Sequence, residues 1–206
     1  MKRFDTAALV AWIALMQPAI AAAGATDYRF DPVHTQVLFS VDHLGFSHPQ
    51  GRLHVKNGFI QFDAGDWAAA KVDAVVDTGS LDMGDSAWNA KVRSWEFLDA
   101  GKHPSAHFVS TSVEKTGERS GVVHGQLTLL GVTRPLDLAV AFNRAGADPY
   151  SLKYTAGFSA TATLRRSDFG MKKYLPDIGD KVDIRIEVEG LRDHGAQEQA
   201  AHDDQQ

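Results

Sequence analysis

Four histidines, His34, His43, His48 and His54, fall within 21 residues, with Asp31 and Asp42 beside them. Imidazole and carboxylate together can bind a divalent metal or move protons. The gaps between successive histidines are 9, 5 and 6 residues. None has the i, i+4 spacing that stacks two ligands on one helix face. The odd gap from His43 to His48 gives no shared strand face. No metal site is therefore expected. His43 shares strand parity with Thr35, Val37, Phe39 and Val41, so it ends an inward-facing column. There it either hydrogen-bonds a ligand head group or is a structural histidine paired with the backbone.

A second cluster is cationic. Arg165, Arg166, Lys172 and Lys173 precede Asp177 and Asp180 in a short turn-rich segment. Such a group can receive an anionic head through charge-assisted hydrogen bonds. The competing reading pairs Arg166 with Asp168 to fix a turn and leaves the lysines solvated. His43, Arg166, Lys172 and Lys173 are thus the candidates for contacting a ligand head. Catalysis finds less support. There is no cysteine, which removes thiol nucleophiles and thiolate metal sites. No Gly-x-Ser-x-Gly elbow, phosphate-binding loop or His-Glu-x-x-His phrase occurs. No catalytic residue and no cofactor are assigned, and the expectation is a binding protein rather than an enzyme. The 206 residues carry 21 Lys and Arg against 26 Asp and Glu, a net charge of −5. That balance lacks the basic footprint for nucleic acid.

The elements that must position these groups read as strands. Apolar and polar residues alternate through residues 36–42, 71–77, 123–129, 136–143, 156–164 and 182–188. Period-two patterning gives half-buried antiparallel strands. Segments 53–55, 58–63 and 106–113 add shorter candidates, with Asn57-Gly58, Ala64-Gly65 and Gly117 as turn signals. Residues 84–100 break the rhythm with helical character, Asp85 or Ser86 serving as a cap. About eight long strands in one domain favour a closed barrel over a sandwich. Its inward columns are Val37, Phe39 and Val41; Phe108; Leu127 and Leu129; Leu138, Val140 and Phe142; Phe158, Ala160, Ala162 and Leu164; and Ile184 and Ile186. Gly125, Ala156, Ala160 and Ala162 stand where a solid core would want Leu or Phe. They either open a cavity or offset the rings of Phe39, Phe108, Phe142 and Phe158.

Both ends of the chain read as lying outside the fold. Lys2 and Arg3, the apolar run Ala7 to Met16 and the small residues Ala19 to Ala25 have the order of a signal peptide. Cleavage after Ala23 or Ala25 is expected, with export to the periplasm. Loss of Lys2, Arg3 and Asp5 takes the net charge from −5 to −6. Residues 192–206 lack large apolar side chains and are expected to be a disordered acidic tail.

Several phrases, in order, resemble one family. They are Asp31-Pro32-Val33-His34-Thr35, Val41-Asp42-His43-Leu44-Gly45, and Val92 to Asp99 followed by Lys102-His103-Pro104. Phe108 to Thr111, Gly125 to Pro135 and Arg166-Ser167-Asp168-Phe169-Gly170 complete the set. Together they resemble the YceI-like family of exported lipid- or polyisoprenoid-binding proteins over residues 27–191. Trp95 and Leu98 stand where the family more usually has acidic and aromatic residues, and His103 where it has Tyr. The resemblance implies a lipocalin-like antiparallel barrel whose apolar tunnel holds a long isoprenoid or acyl chain. The inward columns would then line the tunnel. The implied partner is a long-chain lipid, with transient membrane contact and a homodimer both compatible. Two rivals stand beside it: a solid barrel acting as an interaction or stress-protective module, and an enzyme acting on an isoprenoid quinone or its precursor. A lipid leaving a bilayer exchanges one apolar environment for another, so the net affinity should be modest, as suits a carrier or reservoir.

Overall fold

A computed structural model describes residues 24–203; the segment read as a signal peptide, 1–23, lies outside them. The described strands are β1 (Thr26–Phe30), β2 (Gln36–His43), β3 (Gln50–Phe62), β4 (Lys71–Asp82), β5 (Ser105–Lys115), β6 (Ser120–Leu129), β7 (Val132–Ala147), β8 (Tyr154–Arg165) and β9 (Ile178–Arg192). All pairings are antiparallel, and consecutive strands from β2 to β9 are neighbours. β9 returns to pair with β2, which closes the sheet into an eight-staved barrel. Closure satisfies every edge that an open sheet would expose.

One stave is built from two strands. Both β1 and β2 lie between β3 and β9, β1 pairing through Tyr28–Arg192 and β2 through Gln36–Glu187. The chain jogs between them at Asp31, whose Oδ1 accepts from the Val33 and His34 amides at 2.8 and 3.1 Å. Thr35, fully buried, then donates to the Glu189 carbonyl at 3.2 Å and pins the re-entry.

Asn57-Gly58 is not the turn its sequence signals. Segments 53–55 and 58–63 form one continuous β3, and the pairing with β4 slips at Val55–Asn57. Gly58 sits at φ +126°, and a Cβ there would lie 2.2 Å from the Asp73 carbonyl oxygen. The glycine therefore serves a bulge that bends the stave. By contrast, Ala64-Gly65 and Gly117 do fall between strands.

The helical stretch forms as expected: α1 spans Ser86–Arg93, with Asp85 as its cap accepting from the Trp88 amide at 2.9 Å. The carboxy-terminal segment departs from expectation. It carries a second helix, α2 (Ala196–Asp203), which packs on β3 and β1. Ala196 is buried and Gln197 donates to Asp27 Oδ1 at 2.8 Å. The Asp193 amide also donates to the Asp27 carbonyl at 3.0 Å and its carboxylate pairs with Arg29 at 3.3 Å, so contacts to β1 anchor what composition alone assigned to solvent.

The barrel interior holds two buried clusters. One, around Phe62, Phe108, Val123 and Phe158, fills the end that carries the β1–β2 jog. The other, Leu81, Leu98, Leu129 and Phe169, lies under α1 at the opposite end.

Candidate functional site

Two apolar cavities run along the barrel axis. The lower, of about 160 Å³, is lined by Phe30, Val37, Ile60, Phe62, Trp67, Phe108, Leu138, Val140, Phe158, Ala160 and Ile186, among others. The upper, of about 520 Å³, is lined by Val37, Phe39, Val41, Leu53, Leu129, Leu164 and Ile184 together with residues of α1 and the mouth loops. Val37, Val76, Leu127 and Ile184 border both, so the two are compartments of one tunnel with a waist. Together they reach the ~300–1,000 Å³ typical of enclosed ligand sites.

The lower end is closed by aromatic rings. Phe62 meets Trp67 edge-on at 5.2 Å, Phe158 edge-on at 5.0 Å and Phe142 tilted at 5.0 Å. Trp67 reaches this position on a 3-10 turn capped by Asp66, and enters over Gly121, where a Cβ would lie 2.6 Å from its ring. Sequence reading assigned Trp67 no role.

The inward columns fall mainly where parity placed them. Phe142 and Ala162 do not line either cavity. Phe142 packs into the aromatic plug, and Ala162 packs against the main buried cluster. The small residues also divide. Ala160 borders the lower cavity, whereas Gly125 makes room for Phe108, whose ring would stand 2.3 Å from an added Cβ. Ala156 is fully buried in the packed cluster. Of these small positions, only Ala160 opens onto the tunnel.

The upper end is the mouth, and α1 lies across it. Trp88, Lys91 and Val92 project from α1 into the lining, joined by Leu44, Phe97 and Tyr174 from the loops. Lys91 Nζ donates to Tyr174 Oη at 2.8 Å and forms an ion pair with Glu96. Tyr174 Oη in turn donates to Glu96 Oε1 at 2.8 Å, and its ring stacks on Phe97 at 5.8 Å. The hydrogen bond from Lys91, reinforced by Tyr174, holds the Glu96 carboxyl below the ordinary carboxylate range. The same bond raises the Lys91 ammonium. Lys91 also lies 5.0 Å from the Tyr174 ring centroid. None of these three residues was singled out from sequence, because 83 positions separate Lys91 from Tyr174.

Arg166 is a clamp. It is 2% exposed and donates to the carbonyls of Gly179, Met171, Lys173 and Ile178 at 2.7–3.0 Å. The pairing with Asp168 expected from spacing is replaced by these four carbonyls, which fold the whole 166–179 loop around one guanidinium. Burial lowers the Arg166 pKa from its ordinary value, and the charge of Asp180 opposes that shift. Asp180 is held separately by Ser167 and by Arg165 at 2.6 Å. Arg166 borders the upper cavity, yet at most one of its five N–H groups is left for a ligand. Lys172 and Lys173 are exposed outside the cavity lining, Lys173 over the Trp95 ring at 5.4 Å.

His43 does end an inward column at the mouth. Its ring lies 6.3 Å from that of Trp88 and borders the upper cavity. Its backbone amide donates to the Ser47 carbonyl and its carbonyl accepts from the Phe46 amide, while the strand register sets it opposite Ile178. The other histidines of the cluster disperse. His48 lies 3.8 Å from Asp42 on the mouth loop, and His54 sits within β3. His34 lies at the far end, where it pairs with Asp31 at 3.3 Å and Glu189 at 3.8 Å. Asp31, chiefly through its hydrogen bond, raises the His34 pKa. The ligating atoms of these three lie within 4.8 Å of one another on an open surface. His107 and His124 pair with Asp73 and Asp137 at 2.7 and 2.8 Å, and neither borders the tunnel.

Comparison with known proteins agrees with this architecture. The model of the YceI-like domain matches residues 28–190. A UPF0312 protein of Vibrio vulnificus is 40% identical over 184 residues, covering 87% of this chain and 95% of its own. A UPF0312 protein of Ectopseudomonas mendocina is 38% identical over 172 residues, covering 82% and 90%. Among solved structures, BcnA of Burkholderia cenocepacia superposes with a TM-score of 0.69 at 22% identity, over 78% of this chain and 98% of that one. A polyisoprenoid binding domain from Saccharophagus degradans superposes with a TM-score of 0.61 at 15% identity, over 81% and 98%. At such identities the two structures bear on the fold alone. The family match spans nearly the whole barrel, and the chain belongs to the YceI-like family.

Proposed function

We propose that this protein is a periplasmic carrier or reservoir for a long apolar isoprenoid or acyl lipid. The chain lies in the tunnel and the head sits at the mouth. The observation that carries this reading is the tunnel itself: two apolar compartments in series, blocked below by Phe62, Trp67 and Phe158 and ringed above by polar groups. A polyisoprenoid binding domain shares the fold in which such a tunnel is built.

The mouth favours an uncharged head. Lys91 is neutralised by Glu96, and Arg166 is occupied by four carbonyls. A diphosphate drawn into this lining would lose its hydration without gaining matched cations. A hydroxyl, carbonyl or quinone oxygen needs only a donor; Tyr174 already gives its one O–H to Glu96, and the His43 ring at the cavity wall supplies it. Each methylene withdrawn from water contributes ~0.8 kcal/mol, so a chain of ~20 carbons binds firmly from solution. Exchange with a bilayer is nearly balanced, which permits loading and release.

Native mass spectrometry with organic extraction of the purified protein tests the reading. The expected result is a stoichiometric adduct that extracts as a long-chain, phosphate-free lipid. Protein recovered without any adduct, and unable to take up a prenyl alcohol in solution, would overturn it.

A further inference from the structure

The two ends of the barrel differ in charge and in surface chemistry. At the mouth end, loops 44–49, 83–104, 130–131 and 166–177 carry six cations against five anions. At the plugged end, segments 31–35, 63–70, 116–119, 148–153 and 193–203 carry two cations against eight anions. The barrel is therefore a charge dipole along its tunnel axis. With the buried Arg166 set aside the mouth loops are balanced, so an anionic surface repels the plug and leaves the mouth free to approach.

The same mouth exposes apolar and aromatic side chains in a connected belt. Phe46 is 86% exposed, Trp95 70% and Leu44 49%. The turn that presents Leu44 and Phe46 closes through His43, whose ring faces Trp88 on α1. Lys91, one turn further along α1, reaches Tyr174, and Lys173 spans Tyr174 and Trp95 at 5.7 and 5.4 Å. Leu44 and Tyr174 both occupy left-handed backbone, φ +57° and +61°, a conformation that bulky residues adopt at a cost. Within one belt the chain thus spends strain on residues that open to solvent.

Tryptophan, tyrosine and lysine set beside apolar tips form the side-chain set that settles at a bilayer interface. The rings lie at head-group depth and the ammonium groups meet lipid phosphate. We infer that the mouth rim docks on an anionic lipid bilayer through Leu44, Phe46 and Trp95, with Lys172 and Lys173 facing lipid phosphate. The inference rests on the lipid-carrier reading above and adds to it the route of loading. Docked this way, the cavity-lining residues of the rim, Leu44, Pro49 and Trp88, face the acyl region. A chain then passes from bilayer to tunnel without crossing water.

Flotation with vesicles of phosphatidylethanolamine and phosphatidylglycerol (3:1), against pure phosphatidylcholine, tests the docking surface. The mature protein should float with the anionic vesicles and shift its tryptophan emission to the blue, and 0.5 M salt should weaken both effects. Phe46→Ser with Trp95→Ser should reduce the bound fraction at least tenfold, as should Lys172→Glu with Lys173→Glu. Neither pair borders the tunnel, so both variants should take up a soluble short prenyl alcohol as the wild type does. Wild-type protein that ignores anionic vesicles, or variants that float equally well, would overturn the docking surface while a retained prenol affinity left the carrier reading standing. Floating protein that takes up no prenol would do the reverse. A wild-type dimer in light scattering that Phe46→Ser dissolves would assign the belt to a second copy of this chain, and would also overturn the inference.

Discussion

Lys91 on α1 and Tyr174 in the loop before β9 meet over the tunnel mouth, ammonium to phenol at 2.8 Å, with the Glu96 carboxylate bridging both. This contact ties the helix to the loop across an opening that neither could narrow alone. Its strength depends on Glu96 being ionised.

The first prediction follows from that ionisation. The Glu96 pKa is lowered from 4.5 in the fold, first by Lys91 and then by Tyr174. A depressed carboxylate contributes its contact fully above the ordinary carboxylate range and loses it as pH falls through the folded value. Dissociation of a bound prenyl alcohol should therefore accelerate as the medium is acidified below pH ~4.5. Glu96→Gln should release its ligand faster at neutral pH and lose most of that acid dependence. Stopped-flow dissociation at several pH values provides the measurement; identical profiles for the two proteins would detach Glu96 from the mouth.

A second prediction concerns the clamp. Arg166→Lys keeps the charge but cannot spread planar donors over four carbonyls. Loss of these charge-assisted bonds in a buried site should cost about 3 kcal/mol. For a chain of this size the melting temperature should fall by roughly 6–12 °C. Because the 166–179 loop carries Tyr174, ligand retention should weaken as well. A melt unchanged within 2 °C would show the loop to be held by other contacts.

The third prediction separates packed volume from ligand volume. A Cβ at Gly125 would stand 2.3 Å from the Phe108 ring, so Gly125→Val should destabilise by about 1–3 kcal/mol. Adding Phe108→Leu should recover part of that loss by withdrawing the obstructing ring. Calorimetry of the single and double variants decides it; a double variant no better than the single would place the strain elsewhere.

Much of this fold is legible in the sequence because its strands are long and amphipathic. Period-two alternation marks β2, β4 and β6 to β9, and parity alone puts Val37, Phe39 and Val41 on the inner face with His43 at their end. What escaped depends on tertiary contacts. Asn57-Gly58 has the composition of a turn, yet a bulge uses the same glycine freedom. The five residues of β1 are too short to show a period, and α2 depends on Ala196 finding a buried seat. Small inward residues were ambiguous for a physical reason: Gly125 and Ala160 look alike in a pattern, but one accommodates a ring and the other borders space. The mouth cluster escaped because Lys91 and Tyr174 are distant in sequence. The one local hint was Trp88 and Lys91 at i, i+3 on the helix.

The central claim is that the inner space belongs to a chain-like ligand, and a length series tests it most directly. Prenyl alcohols of increasing length should be titrated into the wild type and into Ala160→Trp, whose new ring would occupy the lower compartment. The account predicts that wild-type affinity rises with each added unit until the tunnel is full. In the variant it should level off at shorter chains, with the longest binding at least tenfold (about 1.4 kcal/mol) more weakly. Variant stability should stay within about 1 kcal/mol of the wild type, because the ring meets space rather than packed neighbours. Affinity that does not depend on chain length, together with a variant destabilised by about 1–3 kcal/mol, would mean a solid core and contradict the account.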